Sequence, residues 1–379
     1  MSTGALERRA ASKVDAGVGP TTVSPNHERI LEINDFSVDY GVDEGSVRAV
    51  DGVSLHLDRS KVLGVAGESG SGKSTLVYGF SRLLRAPGVI TGGTALFNVG
   101  PSREGEPDEF IDLIEANEAT LRRVRWTQIS VVIQSALNAL NPVVRVGSLF
   151  DQVFKAHRRD MSKADRRARS VELLELVGLD EDRLQRFPHE LSGGQRQRIM
   201  IALALALDPQ LVIMDEPTTA LDVVTQREIL GELAELRARF GFAMIFITHD
   251  LSLLVELADE IVVMYAGRLV ERAGSRALYE APRHPYTLGL LNSFPPMHGE
   301  RHELIGIPGS PPDLSDLPSG CAFHPRCPYA MERCARESPP LVKTGEDDRS
   351  VACWLHVGDA SVSVPLELRR SAPSESGTT

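Results

Sequence analysis

Val62-Leu-Gly-Val-Ala-Gly-Glu-Ser-Gly-Ser-Gly-Lys-Ser74 decides how this chain reads. A short apolar run ends on glycine-rich sequence, and a helix-forming stretch, Ser74-Thr-Leu-Val-Tyr-Gly-Phe80, follows at once. Gly67 to Ser74 fits G-x-x-x-x-G-K-[ST] between a strand and a helix, the context that gives the pattern its meaning. Glycines let backbone N–H groups converge on phosphate oxygens, and the helix N-terminus adds the positive end of its dipole. Gly67, Ser69, Gly70, Ser71, Gly72 and Thr75 are therefore candidate phosphate-binding positions. Lys73 is placed to reach the β- and γ-phosphates of a bound nucleotide, and the Ser74 hydroxyl to hold Mg²⁺.

Similar short apolar runs recur outward from this point. Ile30 to Val38 alternates as a strand does, and Ser130 to Ile133, Leu211 to Met214, Ala243 to Ile247 and Ile261 to Met264 are rich in β-branched residues. Runs apolar on both faces suit the interior of a parallel sheet covered by helices, which predicts an α/β fold. From about Ala116 to Leu207 the pattern turns helical, as in Ser162 to Val177, and predicts a helical insert within a domain spanning 28–275. Residues 1–27 and 370–379 have no apolar period and read as flexible, the latter ending a C-terminal tail at 357–379. Between them, 276–356 is proline-rich and irregular, with Pro308-Gly-Ser-Pro-Pro312 and Ser338-Pro-Pro340 as punctuation.

The run Leu211-Val-Ile-Met ends in two carboxylates, Asp215 and Glu216. Asp215 at the strand end suits a contact to Mg²⁺. Glu216 points elsewhere and suits a general base for an attacking water.

Composition narrows the class. The 379 residues carry a net charge of −11, which argues against wrapping nucleic acid along its length. The longest apolar run, Ile199 to Leu207, is nine residues, well short of the roughly 18 a spanning helix needs. The N-terminus lacks the apolar centre of a secretory leader. All four cysteines fall between Cys321 and Cys353. Clustered so, in a chain with no sign of export, Cys321, Cys327, Cys334 and Cys353 read as a metal or cluster site before a disulfide framework. Four thiolates suit zinc or an iron–sulfur cluster. Their C-x5-C-x6-C-x18-C spacing matches neither a zinc ribbon nor a ferredoxin run, and unligated thiols are a third reading.

Leu191-Ser-Gly-Gly-Gln195, added to the phosphate loop and the Asp215–Glu216 pair, resembles the signature of ATP-binding-cassette ATPases. The resemblance implies a P-loop NTPase (RecA-like) α/β core carrying a helical signature subdomain at about 116–207. It places an adenine-stacking aromatic at Tyr40, a Mg²⁺-sensing glutamine at Gln134, the D-loop at Ala220-Leu-Asp222 and a γ-phosphate-contacting histidine at His249. Ser192, Gly193, Gly194 and Gln195 are implied to complete the site of a second cassette, so that two cassettes sandwich two ATP molecules head to tail.

The tail narrows the resemblance further. Arg283-His-Pro-Tyr-Thr-Leu-Gly-Leu-Leu, Ile305-Gly-Ile-Pro-Gly-Ser-Pro-Pro and Cys321-Ala-Phe-His-Pro-Arg-Cys-Pro are similar to the C-terminal region of oligopeptide and dipeptide permease ATPases. What this implies is a working ATPase that drives import through two membrane-spanning subunits, fed by an extracytoplasmic binding protein and peripheral to the cytoplasmic face of the membrane. Peptide is the implied cargo, with nickel and oligosaccharides as alternatives. Gln134 to Val144 is the expected docking surface for a membrane subunit. Some permease ATPases with such a tail hold a [4Fe–4S] cluster on these cysteines, which moves the expectation from zinc to the cluster. A soluble cassette ATPase acting on nucleic acid, or a regulatory subunit without turnover, would be the rival classes.

Overall fold

The computed structural model describes residues 28–41, 45–101, 107–133, 140–219, 221–293, 306–345, 348–357, 364–365 and 368. The expected tail at 1–27, most of that at 357–379, and Gln134 lie outside these.

Two sheets organise the described residues. The larger has eight strands in the order β11-β12-β10-β9-β3-β8-β7-β6. Its parallel part comprises β3 (Val62–Ala66), β6 (Ile129–Val132), β7 (Leu211–Asp215), β8 (Ala243–Ile247) and β9 (Glu260–Tyr265). Strand β10 (Arg268–Gly274) turns back antiparallel, and β12 (Ser350–Val351) and β11 (Val342–Lys343) extend that edge. Strands β3, β7 and β8 are buried throughout, as expected where helices or a second layer cover both faces.

Alternation along each strand sends successive side chains to two apolar cores. Leu63, Val65, Leu211, Ile213, Ile245 and Met264 face one, shared with α1 (Lys73–Phe80) and the smaller sheet. Val62, Val212, Met214, Phe246, Ile261 and Val263 face the other, which continues into the helices of the insert.

The smaller sheet is antiparallel, in the order β2-β1-β4-β5, from β1 (Arg29–Tyr40), β2 (Val47–Asp58), β4 (Gly88–Pro101) and β5 (Asp108–Asp112). Of these only β1 is announced in the sequence, by the apolar alternation of Ile30 to Val38. The fold is thus mixed α/β, with an antiparallel layer laid on a largely parallel one.

The stretch 116–207 is helical in most of its length but not all. After α2 (Glu118–Val124) it gives β6 to the large sheet. Helices α3 (Val146–His157), α4 (Lys163–Leu176) and α5 (Gly193–Ala204) follow. Ser162 and Ser192 open α4 and α5 with capping boxes, each side-chain hydroxyl taking the amide proton three residues on. Helix α6 (Val223–Phe240) is capped by Asp222, and α7 (Leu251–Leu257) by Asp250.

Beyond β10 come α8 (Ser275–Glu280) and α9 (Pro285–Asn292). The His-Pro-Tyr run has a local job: His284 Nδ1 accepts from the Tyr286 amide, and Pro285 takes the first helical position, where its missing N–H costs nothing. Burial holds the His284 imidazole down to about 3, so it stays a neutral acceptor. The region after α9 joins the body through β12 and buried Phe323, which packs against Tyr265 and Tyr286.

Candidate active site

The loop between β3 and α1 has little freedom. Gly67 has φ 148°, and a Cβ there would lie 2.4 Å from the Met264 carbonyl oxygen. Gly72 has φ 99°, and a Cβ there would meet the Ala49 carbonyl oxygen at 2.4 Å. Only glycine fits either place. Helix α1 starts at Lys73 without a side-chain cap, so its first amides point into the loop as an anion site requires. The Lys73 ammonium donates to the carbonyls of Gly67 (2.7 Å) and Glu68 (2.8 Å) and, at 3.4 Å, to Ser71 Oγ. Burial lowers its pKa, against the pull of Glu216, Asp215 and Glu68.

The two strands beside β3 bring the acidic groups to this loop. Asp215 ends β7 fully buried. Ser74 Oγ donates to its Oδ1 (3.0 Å) and the Tyr78 hydroxyl to its Oδ2 (2.7 Å). Burial raises the Asp215 pKa, while these two hydrogen bonds hold it down. Glu216 has φ 46°, a left-handed backbone unusual for its residue type. Its amide is tied to the Ile247 carbonyl (2.9 Å) at the end of β8. Its Oε1 lies 3.4 Å from His249 Nδ1, and Oε2 accepts from Thr219 Oγ1 at 3.1 Å.

The residues expected from sequence therefore fall into two groups. Lys73, Ser74, Asp215, Glu216 and His249 come together around one loop, with Ser71 and Thr75 beside them. The Tyr40 hydroxyl is 3.4 Å from Thr75 Oγ1, which puts that ring at the start of α1. Ser192, Gly193, Gly194 and Gln195 instead cap α5 among themselves and lie against the start of α6. A Cβ on Gly194 would meet Thr225 Cγ2 at 2.7 Å, and one on Gly193 would meet Leu221 Cδ2 at 3.3 Å. Asp222 caps α6 at this contact, accepting from Val224 and Thr225 amides.

Sequence reading missed Tyr78. One hydroxyl inside a helix carries no motif; only the β7–α1 packing reveals that it holds Asp215. Tyr78→Phe removes a hydrogen bond that favours the ionised carboxylate. The acidic limb of the kcat/KM profile for MgATP is expected to move to higher pH, by about one unit, since one unit is about 1.4 kcal/mol. Profiles of the two proteins at saturating Mg²⁺ check this, and coincident limbs would refute it.

All four cysteines face one small cavity, together with Met331 and Trp354. They are free thiols. Burial raises the pKa of Cys321, that of Cys327 to about 11 and that of Cys353 to about 12, with the neighbouring cysteines adding to each shift. Burial keeps these thiols protonated and neutral; they are soft donors, and only a bound metal would favour their thiolate forms. Among the described residues, no three His, Cys, Asp or Glu side chains gather closely enough to hold a single metal ion.

Comparison with known proteins gives the family and the fold. The ABC transporter family model matches residues 50–219, and that of the oligopeptide/dipeptide transporter C-terminal region matches 270–334. The oligopeptide transport ATP-binding protein OppD of Bacillus subtilis is 41% identical over 343 residues, covering 89% of this chain and 92% of its own length. OppD of Salmonella typhimurium is 44% identical over 314 residues, 82% of this chain and 90% of its own. Among solved structures, the dimeric post-hydrolysis state of the ATP-binding cassette MJ0796 bound to ADP and phosphate superimposes with a TM-score of 0.55 at 26% identity, covering 65% of this chain and 99% of that one.

Proposed function

The chain belongs to the ATP-binding-cassette transporter ATPases, in the oligopeptide/dipeptide permease branch, and from that premise we propose how its residues work. It is an ATPase, the motor of an importer, and peptides are the cargo we assign. The observation that carries the site assignment is the convergence of Lys73, Ser74, Asp215, Glu216 and His249 on one glycine-rich loop.

Lys73 and the loop amides bind the β- and γ-phosphates. Ser74, Asp215 and Gln134 hold Mg²⁺, which when bound neutralises charge building on the phosphate oxygens. Glu216 takes the proton of the attacking water, and His249 contacts the γ-phosphate and steadies the Glu216 carboxylate. Tyr40 stacks on adenine. Ser192 to Gln195 and Asp222 serve the nucleotide of a second cassette across a head-to-tail pair. The region 28–275 is the nucleotide-binding domain, and 276–356 the C-terminal module.

ATP-driven pairing is passed to two membrane-spanning subunits, the stretch from Gln134 to Val144 lying on that path, with a binding protein delivering peptide from the other side of the membrane. No helix among the described residues is long and apolar enough to cross a membrane, and we place the chain peripherally on the cytoplasmic face. Co-reconstitution with its membrane subunits in vesicles tests the assignment. ATP-dependent accumulation of labelled peptide is expected, and accumulation of nickel or oligosaccharide in its place would overturn the cargo.

We further assign a [4Fe–4S] cluster to Cys321, Cys327, Cys334 and Cys353, supported by four thiols on one apolar cavity. ATP hydrolysis needs no electron transfer, so the role we assign is that of a staple, with a redox or iron sensor as the alternative. Anaerobic purification is expected to yield about four irons with matching sulfide per chain, lost in a Cys321→Ser, Cys327→Ser double variant. Stoichiometric zinc without iron would replace the cluster with a zinc staple and leave the ATPase untouched.

A further inference from the structure

Glu68, in the phosphate loop, is held on three sides. Its amide donates to the Tyr286 hydroxyl (2.7 Å), which α9 presents from a fully buried position. Its carboxylate takes a two-pronged ion pair from Arg326, Nη1 to Oε2 at 2.6 Å and Nη2 to Oε1 at 2.9 Å. Its carbonyl accepts from Lys73 Nζ. Arg326 is itself fixed: Nε donates to the Pro308 carbonyl (2.8 Å) and Nη1 to the Tyr265 hydroxyl (3.3 Å). It sits on the short turn His324–Arg326, one residue before Cys327. So a loop residue bonded to the phosphate-binding lysine is gripped by a turn that two of the four cysteines, Cys321 and Cys327, flank. The partners are 218 and 258 residues away in sequence.

We propose that the C-terminal module is a clamp on the phosphate loop, with Arg326 the positioning residue through which an intact cysteine turn sets affinity for ATP. The inference rests on reading Gly67 to Ser74 as the ATP site. A forked guanidinium–carboxylate pair fixes both distance and orientation, which a single lysine contact does not. A loop already held in its binding shape loses less freedom when phosphate arrives, so the clamp acts on affinity more than on the chemical step.

The test compares ATP affinity and turnover in Arg326→Ala, Arg326→Lys and Glu68→Gln. Glu68→Gln is nearly isosteric and keeps the fold if Arg326→Ala does not. Expected is a rise of about tenfold in the dissociation constant and KM for ATP with kcat within about twofold, least in Arg326→Lys. The Glu68→Gln, Arg326→Ala double variant should be no worse than either single one. Cys327→Ser should weaken ATP binding similarly in the parent chain and by less than twofold in the Glu68→Gln background. Unchanged KM in folded Glu68→Gln, or an equal Cys327→Ser effect in both backgrounds, overturns the clamp. Lys73→Ala separates the two readings: if it binds ATP as the parent does, the ATP site is misplaced and the clamp falls with it. If it abolishes binding while Glu68→Gln is silent, only the clamp fails.

Discussion

Glu216→Gln should reduce steady-state ATP turnover by about 10²–10⁴-fold, the usual contribution of a positioned general base, while leaving ATP binding unchanged. The substitution swaps a carboxylate oxygen for an amide of the same shape. The backbone bond from residue 216 to the Ile247 carbonyl does not involve the side chain, so the left-handed turn at φ 46° survives. The Thr219 hydroxyl can still donate to the amide oxygen. What is lost is the proton acceptor. Nor is the Mg²⁺ site impaired: the charge of Glu216 raises the Asp215 pKa, so its removal favours ionised Asp215. Binding and chemistry should therefore separate, and the variant should accumulate as an ATP-dependent pair of chains. Titration with a fluorescent nucleotide, size-exclusion with and without MgATP, and phosphate release measure the three quantities. Turnover within tenfold of the parent would assign the proton to another group.

The glycine-rich loop was legible because its pattern is written in consecutive residues. Gly67 to Ser74 folds back on itself, and Asp215 and Glu216 stand at the end of an apolar run long enough to read as a strand. The capping box is equally local: Ser192 and Gln195 are three apart, so the start of α5 is visible in the motif that also suggests its function. Three things were not legible. In β2 and β4, the alternation of Val53, Leu55 and Leu57 is present, but Asp51-Gly52 and Gly92-Gly93 interrupt the period, so an antiparallel layer passed unnoticed. Tyr78 looks like any helical tyrosine until β7 is packed beside it. Arg326 and Tyr286 lie in a segment without strong periodicity, and their contact with Glu68 depends on how the chain closes after β10. Local motifs reveal which atoms do chemistry; long-range packing decides which atoms hold those in place.

Gly193→Asp should abolish hydrolysis, a loss of at least about 10²-fold of the kind seen when a stabilising anion contact is removed, without disturbing nucleotide binding by its own chain. The two effects separate because one charge acts oppositely on two structures. For the helix, a carboxylate in the first turn of α5 interacts favourably with the dipole, by about 0.3–1 kcal/mol. The Ser192–Gln195 box that caps the helix is made by its neighbours and persists. The added Cβ meets only Leu221 Cδ2, at 3.3 Å, the flexible end of a side chain. The protein should fold and melt as the parent does. For an incoming γ-phosphate the same carboxylate is a like charge in the place where amides should be. If signature and loop serve the same nucleotide only across a pair of chains, Gly193→Asp and Lys73→Ala fail for different reasons. In the mixed pair, the loop of the Gly193→Asp chain faces the intact signature of the Lys73→Ala chain. One of the two sites is then whole. Mixing the two inactive proteins should restore ATPase activity, approaching half the parent rate per mixed pair if the sites act independently. A mixture that pairs by cross-linking yet stays inactive would show that signature and loop do not meet across chains.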